Sequence, residues 1–442
     1  MPVTAKPLVD LSPYAGTGPE LPEARLSALA QSLRGSEILK IAAEIRAYST
    51  KGGTVCDLTV GDFAPRHFPI PGRLRDLLRE ALGRDETNYP PSNGMPALRE
   101  AVRRSYQTEL GLEYPQDSFL IAGGSRPLIY ALYRAVCDPG DVVVYPVPSW
   151  NNNHYAEMVG AVGRPIVSSP GDRFMPTRAA VAEALPGARL LCLNSPLNPS
   201  GTVMAPDVLQ GICEAILAEN RSRAARGEKP LFLLYDQVYW TLCWGSVRHA
   251  TPPELSPEMA RYTVLVDGIS KAFCATGLRV GWAAGPKDLM GRMSALLGHV
   301  GAWAPRPEQV ATAAFLEEAL AIAAFREEFR KRVTARLERL HRGLEVLGSK
   351  GLPVDAIPPE GAIYLAVRIH PFGTRTPDGV VLSSSEAIRR FLLESCGIGV
   401  VPFQAFGTRS DEGWFRLSVG AVGEQEIPDA LDRLGAGLGS LR

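Results

Sequence analysis

From about residue 118, short apolar runs alternate with amphipathic stretches. The runs are SFLIA (118–122), DVVVY (141–145), RPIVS (164–168), RLLCLN (189–194), LFLLYD (231–236), YTVLVD (262–267) and VGWAA (280–284). Most lack polar alternation, the mark of strands covered on both faces. Between them, PLIYALYRAV (127–136) and APDVLQGICEAILAEN (205–220) read as helices. This alternation predicts an α/β fold, a mainly parallel seven-stranded sheet flanked by helices. Ahead of it, SEILKIAAEIRAYS (36–49) places Ile38, Ile41, Ala42 and Ile45 at helical spacing. Behind it, a long helical region over 306–347 aligns Phe325, Phe329, Val333, Leu337, Leu340, Leu344 and Leu347 on one face. The Arg and Glu residues between them read as a solvated face. The strands AIYLAV, GIGVV and WFRLSV then imply a smaller α+β domain. Residues 1–25 are rich in Pro, Gly and Ala without a period and read as an arm.

Length and composition narrow the picture. A chain of 442 residues exceeds one hydrophobic core. The expected division is an arm over 1–35, a large domain over 61–305, and a small domain assembled from 36–60 and 306–442. Lys plus Arg and Asp plus Glu number 47 each, so charge gives no case for nucleic acid or an anionic membrane as partner. Seven scattered cysteines with no C-x-x-C pair argue against a disulfide framework and a zinc site, and no metal is expected. No signal-like apolar core precedes the helix at 36, and no apolar stretch nears the roughly 20 residues a bilayer requires. The expected location is cytoplasmic.

Ligands bind at strand ends in open parallel sheets, and polar constellations follow several of the runs. Gly123-Gly124-Ser125-Arg126 joins a strand to a helix that Pro127 helps to start, a suitable place for a phosphate or a plain tight turn. In YPVPSW (145–150), Trp150 either stacks on a flat ring or packs. LNSPLNPSG (193–201) sets Asn194 and Asn198 in a rigid loop that equally suits Asx-turns. Asp236 ends LFLLYD with Tyr239 three residues on, and a carboxylate buried there needs a cation. In DGISKAFCATGLRVGW (267–282), Ser270 and Lys271 stand in a turn of small residues with Arg279 eight residues later. A lysine in such surroundings is the type that forms Schiff bases.

Together, in this order and spacing, these motifs resemble the class I and II aminotransferases of the aspartate-aminotransferase-like kind, fold type I of the pyridoxal-phosphate enzymes. The likeness spans about residues 36–420. It implies that Lys271 carries pyridoxal 5'-phosphate as an imine and moves the proton, and that Asp236 keeps the pyridine nitrogen protonated. It implies that Tyr239 and Asn198 bond the ring oxygen and that Trp150 stacks on the ring. Gly124, Ser125, Ser270 and Arg279 match the phosphate cradle. Tyr89 (NYPPSNG) matches a tyrosine that reaches a phosphate across a homodimer interface. Arg416 (WFRLSVG) matches the fork on the substrate α-carboxylate, and Gly61 (LTVGDF) and PPEGAIY (358–364) match parts that close over substrate.

The expected function is therefore transfer of an amino group between an L-amino acid and a 2-oxo acid, of aspartate or glutamate type. Lyase, decarboxylase or oxidase chemistry on the same scaffold is the alternative. A non-catalytic regulator module would need a DNA-binding domain that the first 35 residues do not resemble. Two departures from the family stand out. Gly268 occupies a position where many members carry Ser or Thr, and Gly61-Asp62-Phe63-Ala64-Pro65 replaces G-E-P-D-F. Arg126 is also unusual in its motif, and either meets a distal carboxylate or pairs at the surface.

Overall fold

The computed structural model describes residues 10–12, 26–33, 35 and 37–442. They belong to two compact units, Met1–Gly35 and Ser36–Arg442. In the first, a short helix spans Ala28–Ser32, with the Ser27 hydroxyl accepting from the Ala30 amide at 3.2 Å, an N-cap. The arm expected over 1–35 otherwise lies outside the described residues.

The second unit opens with the helix Glu37–Thr50 and a short strand, β1 (Cys56–Asp57). Helices Gly72–Gly83 and Pro96–Leu110 follow, neither singled out by the apolar pattern. Seven strands then build the main sheet: β2 (Phe119–Ala122), β3 (Val142–Val147), β4 (Val162–Val167), β5 (Ala188–Asn194), β6 (Phe232–Asp236), β7 (Thr263–Gly268) and β8 (Gly281–Ala284). These are the seven apolar runs, with ends shifted by a residue or two. Their order is β2-β8-β7-β6-β5-β3-β4. All pairs are parallel except those of β8, which runs against both β7 and β2.

Strand periodicity divides the core into two layers. Leu191, Leu193, Leu233, Tyr235 and Leu265 enter the cluster on one face, while Leu190, Cys192, Leu234, Val264 and Val266 enter the other. Helices Ser125–Val136 and Pro206–Ala225 match the expected pair. β4 is an edge strand, largely exposed, and tolerates Pro165 because one side of its backbone has no strand partner among the described residues.

The region expected as one long helix is two, Arg306–Leu316 and Ala319–Ser349. The break falls at a pair of acids that face other helices. Glu317 pairs with Arg104 at 3.3 Å and Glu318 with Arg73 at 2.7 Å. The second helix buries Phe329, Val333, Leu337, Leu340, Leu344 and Leu347, the expected face. It covers an antiparallel sheet of β9 (Val354–Ala356), β10 (Tyr364–Ile369), β12 (Val401–Pro402) and β13 (Trp414–Ser418), in the order β12-β13-β10-β9. The GIGVV run splits. β11 (Ile398–Gly399) pairs in parallel with β1, and β12 pairs with β13, so this stretch crosses from one sheet to the other. Among the described residues no helix is long and apolar enough to cross a membrane.

Candidate active site

Sheet direction explains why distant residues meet. β2, β3, β5, β6 and β7 point the same way, so their carboxyl ends share one edge, and antiparallel β8 starts from that edge. Ser125 follows β2, Trp150 follows β3, Asn194 ends β5, Asp236 ends β6, Ser270 and Lys271 follow β7, and Arg279 precedes β8. A cavity of about 710 Å³ opens there, and all seven of these residues line it. Asn198, Tyr239, Tyr364 and Arg416 complete its wall.

At one end the chain leaves room for an anion. Gly124 has φ +96° and precedes the first turn of the helix Ser125–Val136. A Cβ at Gly124 would fall 2.2 Å from an Arg279 terminal nitrogen, and one at Gly281 would fall 2.6 Å from the Gly124 carbonyl carbon. Only glycines let these two backbones and the Arg279 guanidinium close up. Arg279 donates to the carbonyls of Thr276 at 2.7 Å and Gly123 at 2.9 Å, which aims its guanidinium across the helix start. Gly268 is explained by the same packing. A Cβ there would meet the Val280 carbonyl oxygen at 2.7 Å and Gly281 Cα at 2.8 Å, so no Ser or Thr fits this cradle.

Lys271 Nζ donates to the Gly61 carbonyl at 2.7 Å and lies near the Phe63 and Tyr239 rings, at 5.7 and 5.9 Å from their centroids. Burial lowers its pKa to about 8, against the opposing attraction of Asp62. Asp236 behaves in the reverse sense. Burial raises its carboxyl to about 6, and neither the bond from the Val238 amide at 3.2 Å nor the Lys271 charge cancels that cost. The neighbouring Asn194 amide donates to the Asp236 carbonyl at 2.9 Å, and its side-chain oxygen accepts from the Asn198 amide at 2.9 Å.

The opposite wall is built by Arg416 on β13, 1% exposed. It donates to Asn198 Oδ1 at 3.0 Å and to the Thr59 carbonyl at 2.5 Å, and its cation lies between Tyr364 and Phe406, at 4.8 and 4.9 Å from the ring centroids. Its Nε is buried without a partner among the described residues. Burial lowers its pKa, more than Tyr364, Tyr239 and Asp57 restore it. A Cβ on Gly61 would sit 3.5 Å from an Arg416 nitrogen and 3.0 Å from the Tyr364 hydroxyl, so Gly61 keeps the guanidinium open.

These observations decide the family. Residues 54–434 match the family model described as aminotransferase class I and II. The chain belongs to that family. It is 30% identical over 424 residues to an aspartate aminotransferase of Rhizobium meliloti (strain 1021), covering 94% of this chain and 95% of the relative. It is 32% identical to a probable aspartate/prephenate aminotransferase of Thermus aquaticus, covering 93% and 99%. The crystal structure of the Rhizobium meliloti aspartate aminotransferase superposes with a TM-score of 0.85 at 28% identity, covering 95% of this chain and all of that one. The chain is thus a pyridoxal-phosphate-dependent aminotransferase of fold type I, moving an amino group between an L-amino acid and a 2-oxo acid.

The residues present fit that cofactor. Asp236 is a half-buried carboxylate on the cavity wall whose desolvation cost a pyridinium would offset, and Ser125, Ser270 and Arg279 meet beside a helix start cleared by glycines. One sequence-expected residue stands apart within the chain. Tyr89 is 81% exposed, packs edge-on against Trp303 at 5.2 Å and lines a different surface concavity. Sequence reasoning gave no role to Tyr364, whose hydroxyl lies 2.5 Å from that of Tyr239, although the segment 358–364 pointed to it. It also missed the cavity role of Ile38, Leu39 and Ala42 on the helix Glu37–Thr50, because their spacing reports only an apolar face.

Asp236→Asn is expected to stabilise the cofactor-free protein while impairing the enzyme. The folded pKa of about 6 lies above the ordinary 3.8, so ionisation costs stability as pH rises through that interval. Above it the cost levels at about 3 kcal/mol at most. The variant should therefore exceed the wild-type apoprotein in denaturant stability at pH 8, by roughly 1–3 kcal/mol. The gap should close below about pH 4. Buried Asp267, raised to about 7 in part by the Asp236 charge, should titrate lower in the variant, which adds to the gap in the same direction. Equal stabilities at pH 8 would remove the electrostatic argument for Asp236.

Proposed function

We propose that this aminotransferase takes an acidic donor, aspartate or glutamate. The observation that carries the reading is that two arginines line the cavity besides Arg279 of the phosphate end. Arg416 is buried and keeps a free Nε, and Arg126 is exposed over the Trp150 ring at 5.3 Å. Two guanidinium groups suit a substrate with two carboxylates. The names of the aspartate aminotransferase relatives support this, as does a Thermus thermophilus aspartate aminotransferase solved with the dicarboxylate maleate. The test is to mix cofactor-loaded protein with single L-amino acids and follow its visible absorbance and the released 2-oxo acid. Aspartate and glutamate should convert the cofactor fastest, and Arg126→Gln should slow aspartate about tenfold or more while sparing alanine. An equal slowing of both donors would exclude Arg126 as the distal clamp.

In this reading the bound cofactor supplies an electron sink for the carbon that bears the amine. Ser125, Ser270, Gly124 and Arg279 would hold its phosphate, Trp150 its ring face, Asp236 its ring nitrogen, and Tyr239 with Asn198 its ring oxygen. Arg416 forks onto the α-carboxylate and fixes which bond of the donor faces Lys271. The Lys271 amine, neutral above about pH 8, accepts the α-proton at Nζ and returns it. Gly61 supplies the carbonyl that steers this amine.

The segments 36–60 and 306–442 form the small domain around β1, β11 and the antiparallel sheet, and 61–305 the large one. The enzyme acts in the cytoplasm as a homodimer with shared sites. Support for the dimer comes from Tyr89, a large exposed aromatic outside the Lys271 cavity of its own chain. Tyr89→Phe should raise the cofactor dissociation constant about tenfold, as expected for loss of a hydrogen bond to a charged phosphate. Unchanged retention would count against site sharing.

A further inference from the structure

A second concavity of about 500 Å³ lies outside the catalytic cavity, between residues 66–67 and the helix Ala319–Ser349. Its wall is strongly basic. Three of its charges are already met: Arg332 and Glu328 pair at 2.8 Å, and Glu424 is taken by Arg339 at 3.2 Å. Arg66, Lys331 and Arg336, all on the wall, have no carboxylate within 4.0 Å among the described residues. Arg66 Nε donates to His67 Nε2 at 2.9 Å, which occupies that ring nitrogen as an acceptor.

Arg336 distinguishes this from an ordinary solvated patch. It is 6% exposed, and its cation lies 4.8 Å over the Phe68 ring. Nε donates to the Val422 carbonyl at 3.0 Å and one terminal nitrogen to the Arg332 carbonyl at 2.8 Å. These partners are neutral. Burial lowers its pKa by more than Glu424 and Glu426 restore. A buried cation that acidic groups reach only beyond ion-pair distance is costly unless an anion completes it.

We propose that this cavity is a second, non-catalytic binding site for a small phosphate-bearing anion, anchored by Arg336 and gripped by Arg66 and Lys331. Three cations with no direct ion pair suit a multiply charged anion, and guanidinium groups fit phosphate oxygens in pairs. The volume admits more than a lone phosphate, so a phosphorylated small molecule is the expected class.

The test is calorimetric titration of the cofactor-loaded enzyme with inorganic pyrophosphate at low salt. Saturable binding with a dissociation constant below about 10 mM is expected. The double variant Arg66→Ala/Lys331→Ala should bind about tenfold more weakly or worse, with donor turnover unchanged in the absence of pyrophosphate. Both side chains are exposed, so the variant should fold. Failure of the wild type to bind would overturn the proposal, and so would equal affinity in wild type and variant, which would place the anion elsewhere.

Discussion

Lys271→Ala is expected to lower turnover by about four orders of magnitude or more, and to abolish the visible absorbance of lysine-bound cofactor. The fold should survive. Removing Nζ leaves the Gly61 carbonyl without its 2.7 Å donor, a loss of about 1 kcal/mol. A folded, inactive variant therefore isolates the chemical role of the amine. Lys271→Arg makes the case sharper, because a guanidinium keeps the charge but cannot give up its proton near neutral pH. The wild type should show the pKa directly. Burial lowers the amine to about 8, so capture of cofactor by the apoprotein should accelerate as pH rises towards 8 and level above it. A variant working within tenfold of the wild type, by kcat with saturating donor, would exclude Lys271 as the catalytic base.

The main sheet was readable because its strands are buried on both faces. Runs such as LLCLN and VLVD have no other economical fate than a central strand, and each surfaced within a residue or two of its expected place. Position at the sheet edge followed from the same reading. Once β2, β5, β6 and β7 run in parallel, Ser125, Asn194, Asp236 and Lys271 must converge, whatever their separation in sequence. Three features were hidden for definite reasons. The break between Leu316 and Ala319 depends on Glu317 and Glu318 finding Arg104 and Arg73 on helices distant in sequence. The partition of GIGVV between β11 and β12 depends on what each half pairs with, since two residues carry no period. Gly268 stands where many family members carry Ser or Thr, and only the approach of Val280 and Gly281 shows that a side chain has no room there. In each case a tertiary neighbour decides what local pattern leaves undetermined.

Arg416→Lys is the second large effect, and its expected form is a loss of substrate discrimination. The guanidinium is positioned by bonds to Asn198 and the Thr59 carbonyl and held between two aromatic rings. This fixes its plane before substrate arrives, so ordering costs little on binding. A lysine keeps the charge but loses the planar fork and the stacking. The expected fall in kcat/KM for the amino-acid donor is about 10²-fold, roughly 3 kcal/mol. The cofactor's absorbance should stay, because Ser125, Ser270 and Arg279 hold the other end of the cavity. The deciding comparison is between an amino acid and the amine that lacks its α-carboxylate. For the wild type the amino acid should react far faster, and for Arg416→Lys the ratio should collapse because the amine never used the fork. A variant that keeps the wild-type ratio while losing rate on both compounds would show that Arg416 supports the small sheet and Asn198, and that the carboxylate is recognised elsewhere in the cavity.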